Sequence, residues 1–354
     1  MRIVFVEPGA SPKPVGGTRI LYEHANHLAA RGHEVTVIHP VKLEPARRWS
    51  KALRLAVRYR SWGASGRWNP SRWMYVDPRV RMVWARDLSP DAFPPADVVI
   101  PITWNTVAAV LKLPRDRGRR VFFSQHWDFG YGPEDQIKAA WAGVDARIVI
   151  NRAVQDAARS MGFEAVYVPN GLDSEAFGID TPLSARAPTH VAMLYHPASH
   201  KGAADGLKAL DLAKRALPEL TAELFGVAEP PVLPDWIAYR RGPRDAELRA
   251  LYNRASIFIS ASANEGWGLA PCEAGFCGCA IAVADNFGHR EFAIDGETAL
   301  VSPVGDVDTL ATNILRLARD AALRERLNAG LREKLAEFSW ARSSELFEQA
   351  LISA

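Results

Sequence analysis

The stretch of this chain richest in chemistry reads Glu265-Gly266-Trp267-Gly268-Leu269, with Pro271 and Glu273 beyond it. The apolar run 256–260 before it reads as a strand, and Pro271 suits the first turn of a helix opening near Gly268. Glu265 then sits on a loop and Glu273 about one turn into the helix. Both carboxylates would face the crevice outside the strand ends, where open α/β sheets bind ligands. Free backbone N–H groups at Gly268 and Leu269 would favour an anion such as a diphosphate. A carboxylate there can accept two hydrogen bonds from vicinal hydroxyls, which suits a ribose or a sugar. Two carboxylates in different surroundings can divide their roles, one binding and one acting at the reacting sugar.

Three other segments could carry chemistry. The pair Gly16-Gly17 precedes a helical pattern. Its bare backbone either approaches an anionic ligand or forms a turn with a cap. Residues 42–73 hold nine Lys or Arg against one acid, Glu44, although the whole chain carries a formal charge of only +3. On a helix, Ala46, Trp49, Leu53, Ala56 and Val57 share one face, and Arg47, Arg48, Lys51, Arg54 and Arg58 the opposite one. With Trp62, Trp68 and Trp73 following, the segment reads in two ways. Either Arg47, Arg48, Lys51 and Trp62 meet an anionic membrane surface or a lipid-linked acceptor, or the apolar face packs on the core with its charges solvated. Cys272, Cys277 and Cys279 form an odd cluster without a nearby histidine, and read as small buried residues.

Elements must position these groups. The chain alternates strand-like runs with amphipathic helical patterns. Strands are expected at 1–6, 34–39, 80–84, 97–102, 120–124 and 146–151. A second series follows at 191–195, 221–225, 236–239, 256–260, 280–284 and 299–301. Helices are expected after Thr18 as an N-cap, with Gly32 as the stop, and at 203–216, 245–254 and 308–330. Two α/β series in 354 residues predict two doubly wound domains, parted at the breakers Pro169, Asn170 and Gly171. No G-x-G-x-x-G follows a strand, so the dinucleotide fingerprint is absent. The net charge excludes a whole-protein nucleic-acid binder. No apolar run approaches the roughly 20 residues of a membrane span, and Glu7 interrupts the N-terminal apolar run, so a cytoplasmic location is expected.

Taken in order, these pieces resemble glycosyltransferase family 4. Glu265 through Glu273 matches its E-x7-E signature. Gly16-Gly17 with Arg31-Gly32-His33-Glu34 resembles its opening, 168–173 with Phe177 its interdomain segment, and Leu248 to Tyr252 the helix before the signature strand. Asp295-Gly296-Glu297-Thr298 with Gly305-Asp306 resembles its later pattern, and Phe338-Ser339-Trp340 its closing helix. The resemblance implies the GT-B fold, in which two Rossmann-like domains face across a cleft and a C-terminal helix crosses back. The divisions would be 1–168 for acceptor, 169–336 for nucleotide sugar and 337–354 for the helix.

It also implies a retaining, metal-independent transfer of sugar from a nucleoside diphosphate sugar to a glycan, a lipid-linked or a small-molecule acceptor. The alternative is a binding protein of the same fold without catalysis. Glu265 would lie at the donor sugar and Glu273 at the ribose, with the amides of Gly266, Trp267, Gly268 and Leu269 on sugar and diphosphate and Gly16-Gly17 adding helix-terminal charge. Trp267 would also influence the choice of sugar. The family's diphosphate pair reads Arg-x4-Lys. Lys201 matches the lysine, but His196 stands at the arginine, so Arg244 or Arg290 would have to supply further charge. His126 falls where a family histidine lies near the reacting sugar, with Asp128 as a further sugar contact. Asp306-Val307-Asp308 is read as a helix start, Asp308 being the N-cap, rather than as a metal site. No cofactor is expected.

Overall fold

The computed structural model describes residues 1–43, 49–129 and 132–353. The chain forms two compact units, Met1–Asn170 with Trp340–Ala354, and Gly171–Ser339. The divisions fall after Asn170 and Ser339, two and three residues beyond those expected.

Unit 1 contains β1 (Arg2–Val6), α1 (Gly16–Ala30), β2 (Glu34–Pro40), α2 (Trp49–Ser65), β3 (Arg81–Ala85), β4 (Val98–Pro101), α3 (Trp104–Val110), β5 (Arg119–Ser124), α4 (Glu134–Gly143), β6 (Ala146–Val149), α5 (Arg152–Ser160) and β7 (Val166–Tyr167). The strands pair in the order β3-β2-β1-β4-β5-β6-β7, with parallel registers throughout. Central β1 is apolar from Ile3 to Val6 and buried there, as a parallel strand covered on both faces must be. β7 has two residues, too few to leave a periodic signal in the sequence.

Unit 2 contains β8 (His190–Leu194), α6 (Ala203–Ala216), β9 (Thr221–Gly226), β10 (Ile237–Arg241), α7 (Asp245–Arg254), β11 (Ile257–Ser260), α8 (Leu269–Phe276), β12 (Ala280–Ala284), β13 (Leu300–Ser302), α9 (Val307–Arg319) and α10 (Ala321–Leu335). Its sheet runs β10-β9-β8-β11-β12-β13, again parallel. Strand residues Val191, Ile257, Ile259 and Ala282 share a core with Leu210, Ile314 and Leu317 of α6 and α9. These are two doubly wound sheets of the Rossmann type, arranged in sequence as the GT-B fold requires.

The final helix, α11 (Trp340–Ser353), belongs to unit 1. His24 of α1 stacks on its Phe347 with ring centroids 4.1 Å apart. Glu348 pairs with Arg31 and, at 2.7 Å, with His33. The return of the C-terminal helix to the N-terminal fold is therefore observed.

Several helix boundaries depart from the sequence reading. α1 starts at Gly16 with Val15 as N-cap; Thr18 lies inside it, buried, with its hydroxyl 3.0 Å from that of Ser11. The expected helix 308–330 is two helices broken at Asp320, whose carboxylate accepts from Leu323 N–H and caps the second. Asp306, not Asp308, caps α9 by accepting from Thr309 N–H.

Candidate functional site

In unit 2 the strand order reverses between β8 and β11, so the loops leaving these neighbours diverge and open a crevice at their carboxyl ends. Lys201 comes from the first loop and Glu265 from the second. Lys201 Nζ donates to Glu265 Oε2 at 2.7 Å, with both side chains partly exposed. The loops are stitched together around this pair: Ala263 N–H and the Ser262 hydroxyl both donate to His200 O. Gly202 makes the approach possible. Its φ is +61°, and a Cβ there would lie 1.9 Å from Ala261 O.

Helix α8 begins behind Gly268, whose φ of +103° places it in the left-handed region. No side chain caps this end, which leaves the N–H groups of the first turn for a ligand. Glu273, one turn on, accepts from the Tyr252 hydroxyl through Oε2 at 3.2 Å. Burial, then the neighbouring carboxylate, raises the phenol well above its ordinary range, so Tyr252 remains a donor. Trp267 departs from expectation. Its side chain is 3% exposed and packs edge-on against Phe338, so its backbone, not its ring, is what this loop can offer a sugar.

His289 was not found from the sequence. Its Nδ1 lies 2.7 Å from Ala284 O and 3.0 Å from Asn286 Nδ2. Its Nε2 is buried without a partner, pressed under Gly268, where a Cβ would meet the ring at 2.8 Å. Burial lowers its pKa, while the Glu265 charge raises it. An imidazole two residues before a glutamate in a turn leaves no pattern that points to Gly268.

His196 leaves the end of β8 half-buried, and its Nδ1 accepts from Ala198 N–H at 3.1 Å. Burial, then Lys201 and His200, lower its pKa. Of the further cations considered, Arg290 is engaged by Asp285 at 2.7 Å, and Arg244 stands at the N-terminus of α7. Among the described residues, no group of three or more His, Cys, Asp or Glu is placed to hold a metal. The three cysteines are buried, and burial pushes the Cys277 and Cys279 thiols up to about 12.

The other residues singled out from the sequence lie in unit 1. Gly16 and Gly17 form the first turn of α1, and Gln125 Nε2 donates to Gly17 O at 3.1 Å, a link the sequence reading missed. His126 Nε2 is 3.2 Å from Asp128 Oδ1. Asp128 is 1% exposed and accepts from the Trp141 indole, so it cannot serve as an exposed sugar contact.

Arg47 and Arg48 of the basic segment lie outside the described residues, as does the side chain of Lys51. Of the apolar face, for which packing on the core was one of the two readings, Leu53 and Val57 are 54% and 59% exposed and Ala56 is partly buried. Instead α2 is held through Tyr59 and Trp62, whose rings stack near Trp84, while Arg58 and Arg67 lie over the Trp62 ring. Among the described residues no helix is long and apolar enough to cross a membrane.

Comparison with known proteins agrees with this fold. Residues 15–176 match the family model Glycosyltransferase Family 4, and residues 237–334 match Glycosyl transferases group 1. Phosphatidyl-myo-inositol mannosyltransferase of Mycolicibacterium smegmatis is 26% identical over 215 residues, covering 55% of this chain and 54% of that protein. The chain thus spans about half the length of that relative. Among solved structures, sucrose-phosphate synthase from Thermosynechococcus elongatus superposes with a TM-score of 0.77 at 16% identity, covering 100% of both chains. Anabaena Alr3699/HepE, solved with UDP and glucose, gives 0.74 at 15%, again over 100% of both. At these identities the structural likeness is one of fold.

Proposed function

The chain belongs to glycosyltransferase family 4, and on that premise we propose that it moves a sugar from a nucleoside diphosphate sugar to an acceptor with retention of anomeric configuration and without a metal. The observation that carries this reading is the meeting of Lys201 and Glu265 at the switch point of the unit 2 sheet, beside the uncapped start of α8. The Anabaena neighbour's UDP and glucose support a sugar-nucleotide ligand of this kind.

The roles follow from the chemistry of each group. Glu273, steadied by Tyr252, accepts from the ribose hydroxyls. The N–H groups of Gly266 to Leu269 and the Lys201 ammonium meet the diphosphate, where negative charge grows as the glycosidic bond breaks. Glu265 holds the donor sugar and stabilises positive charge at its reacting carbon. Within unit 1, His126 and the N-terminus of α1 at Gly16-Gly17, with its partial positive charge, are the groups suited to meet a sugar or an anion. The acceptor is a glycan, a lipid-linked sugar chain or a small hydroxylated molecule. Peripheral contact with an anionic membrane surface through α2 is part of the proposal, supported by the exposure of Leu53 and Val57 among Arg54, Arg58 and Arg60.

The test is a panel of sugar nucleotides, UDP-glucose and GDP-mannose among them, scored by thermal shift, nucleoside diphosphate release and the anomeric configuration of any product. Transfer with inverted configuration would overturn retention. Binding with neither transfer nor donor hydrolysis would overturn catalysis. Loss of activity in chelator would overturn metal independence.

A further inference from the structure

We propose that His196 binds the donor diphosphate as a neutral imidazole, through a proton fixed on Nε2, and so replaces the expected arginine by a hydrogen bond and not by a charge. This rests on the donor-site reading above. The tautomer follows from one contact: Ala198 N–H points at Nδ1 across 3.1 Å, and a nitrogen that accepts this bond cannot carry a proton. In neutral imidazole the proton then sits on Nε2. Protonation of Nδ1 would break the Ala198 bond and set two N–H groups against each other.

The surroundings act in the same direction. The charged or titratable groups that act on the ring are Lys201 and His200 from its own loop and Glu265 from the loop after β11. Burial, Lys201 and His200 oppose a further positive charge and outweigh Glu265, which favours one. His196 is half-buried, not enclosed, so it remains accessible to a ligand. The net positive charge at the diphosphate then comes from Lys201 and the start of α8, with His196 adding direction.

Isothermal titration of the full chain with UDP-glucose and with GDP-mannose tests this, because a sugar-capped diphosphate does not itself titrate near neutrality. The affinity of whichever binds should change less than about twofold between about pH 6 and pH 8, with no proton uptake across buffers of different ionisation enthalpy. His196→Ala should weaken binding about tenfold, and His196→Gln, which keeps a neutral N–H donor, about threefold. Proton uptake near one per site that disappears in His196→Gln but persists in His200→Gln would overturn the neutral form. Unchanged affinity in His196→Ala would overturn the contact. If neither sugar nucleotide binds the unaltered chain, the donor-site reading falls and takes this proposal with it.

Discussion

Lys201 Nζ and Glu265 Oε2 lie 2.7 Å apart, joining the loop that leaves β8 to the loop that leaves β11. Each charge therefore compensates the other. Under the proposed function an incoming diphosphate would compete with Glu265 for the ammonium and loosen the carboxylate assigned to the sugar. Under that function the pair would couple arrival of the leaving group to exposure of negative charge beside the reacting carbon.

Replacing Glu265 with Gln keeps the side chain's size and removes its charge. Turnover should fall about 100-fold or more, the scale of a lost transition-state electrostatic contact. The dissociation constant for the matching nucleoside diphosphate should move less than about threefold, because Lys201 is then free for phosphate. Equal losses in turnover and affinity would reduce Glu265 to a support for Lys201.

Glu273 and Tyr252 should report on the nucleotide alone. Glu273→Ala should weaken nucleoside diphosphate binding about tenfold to 100-fold, as expected for hydrogen bonds to a charged group. Tyr252→Phe leaves the carboxylate without its 3.2 Å donor and should cost about threefold to tenfold in the same titration. A double variant weaker than Glu273→Ala alone would show Tyr252 acting independently of the carboxylate.

Unit 1 should lose stability as pH rises from mild acid to about 8. Glu7 is fully buried at the end of β1 with Oε1 unpartnered, and burial raises its pKa from 4.5 to about 8, opposed by a hydrogen bond with Thr18. Between those values the folded chain keeps a proton that the unfolded chain has released. The stability this provides is complete below pH 4.5 and is lost as pH rises through about 8, at up to about 1.4 kcal/mol per pH unit. Denaturant midpoints across this window should decline for the natural chain and flatten in Glu7→Gln. Parallel curves for the two would exclude Glu7 as the cause.

Membrane contact predicts binding to vesicles containing anionic lipid and not to neutral ones. Removing the charges of Arg47, Arg48 and Lys51 should reduce binding about fivefold per residue, from roughly 1 kcal/mol each. Leu53→Ser with Val57→Ser should reduce it further without lowering the unfolding temperature, since both side chains are more than half exposed. Absence of vesicle binding by the unaltered chain would end this part of the proposal.

Strand positions, the two α/β series, and the placement of Glu265 and Glu273 around a helix start were legible from residue order. These features depend on short-range patterns: continuous apolar runs for strands buried on both faces, and glycine or proline at the breaks. The same local logic misjudged positions where neighbours in sequence compete for one role. Asp306 and Asp308 both suit a cap, and only the path of the chain into α9 shows that Asp306 reaches Thr309 N–H.

Side-chain partners were not legible, because they come from segments far apart or from contacts that follow no periodicity. Lys201 meets Glu265 only because β8 and β11 are neighbours and Gly202 has no Cβ to strike Ala261. Trp267 turns inward because Phe338 offers its ring a face, and Leu53 stays exposed because Tyr59 and Trp62 already hold α2 near Trp84. The proton on His196 is placed by Ala198 N–H. Residue order thus specified which chemical groups stand at the ends of which strands. Packing specified their partners and protonation, since both depend on distances and burial that exist only once the sheets have formed.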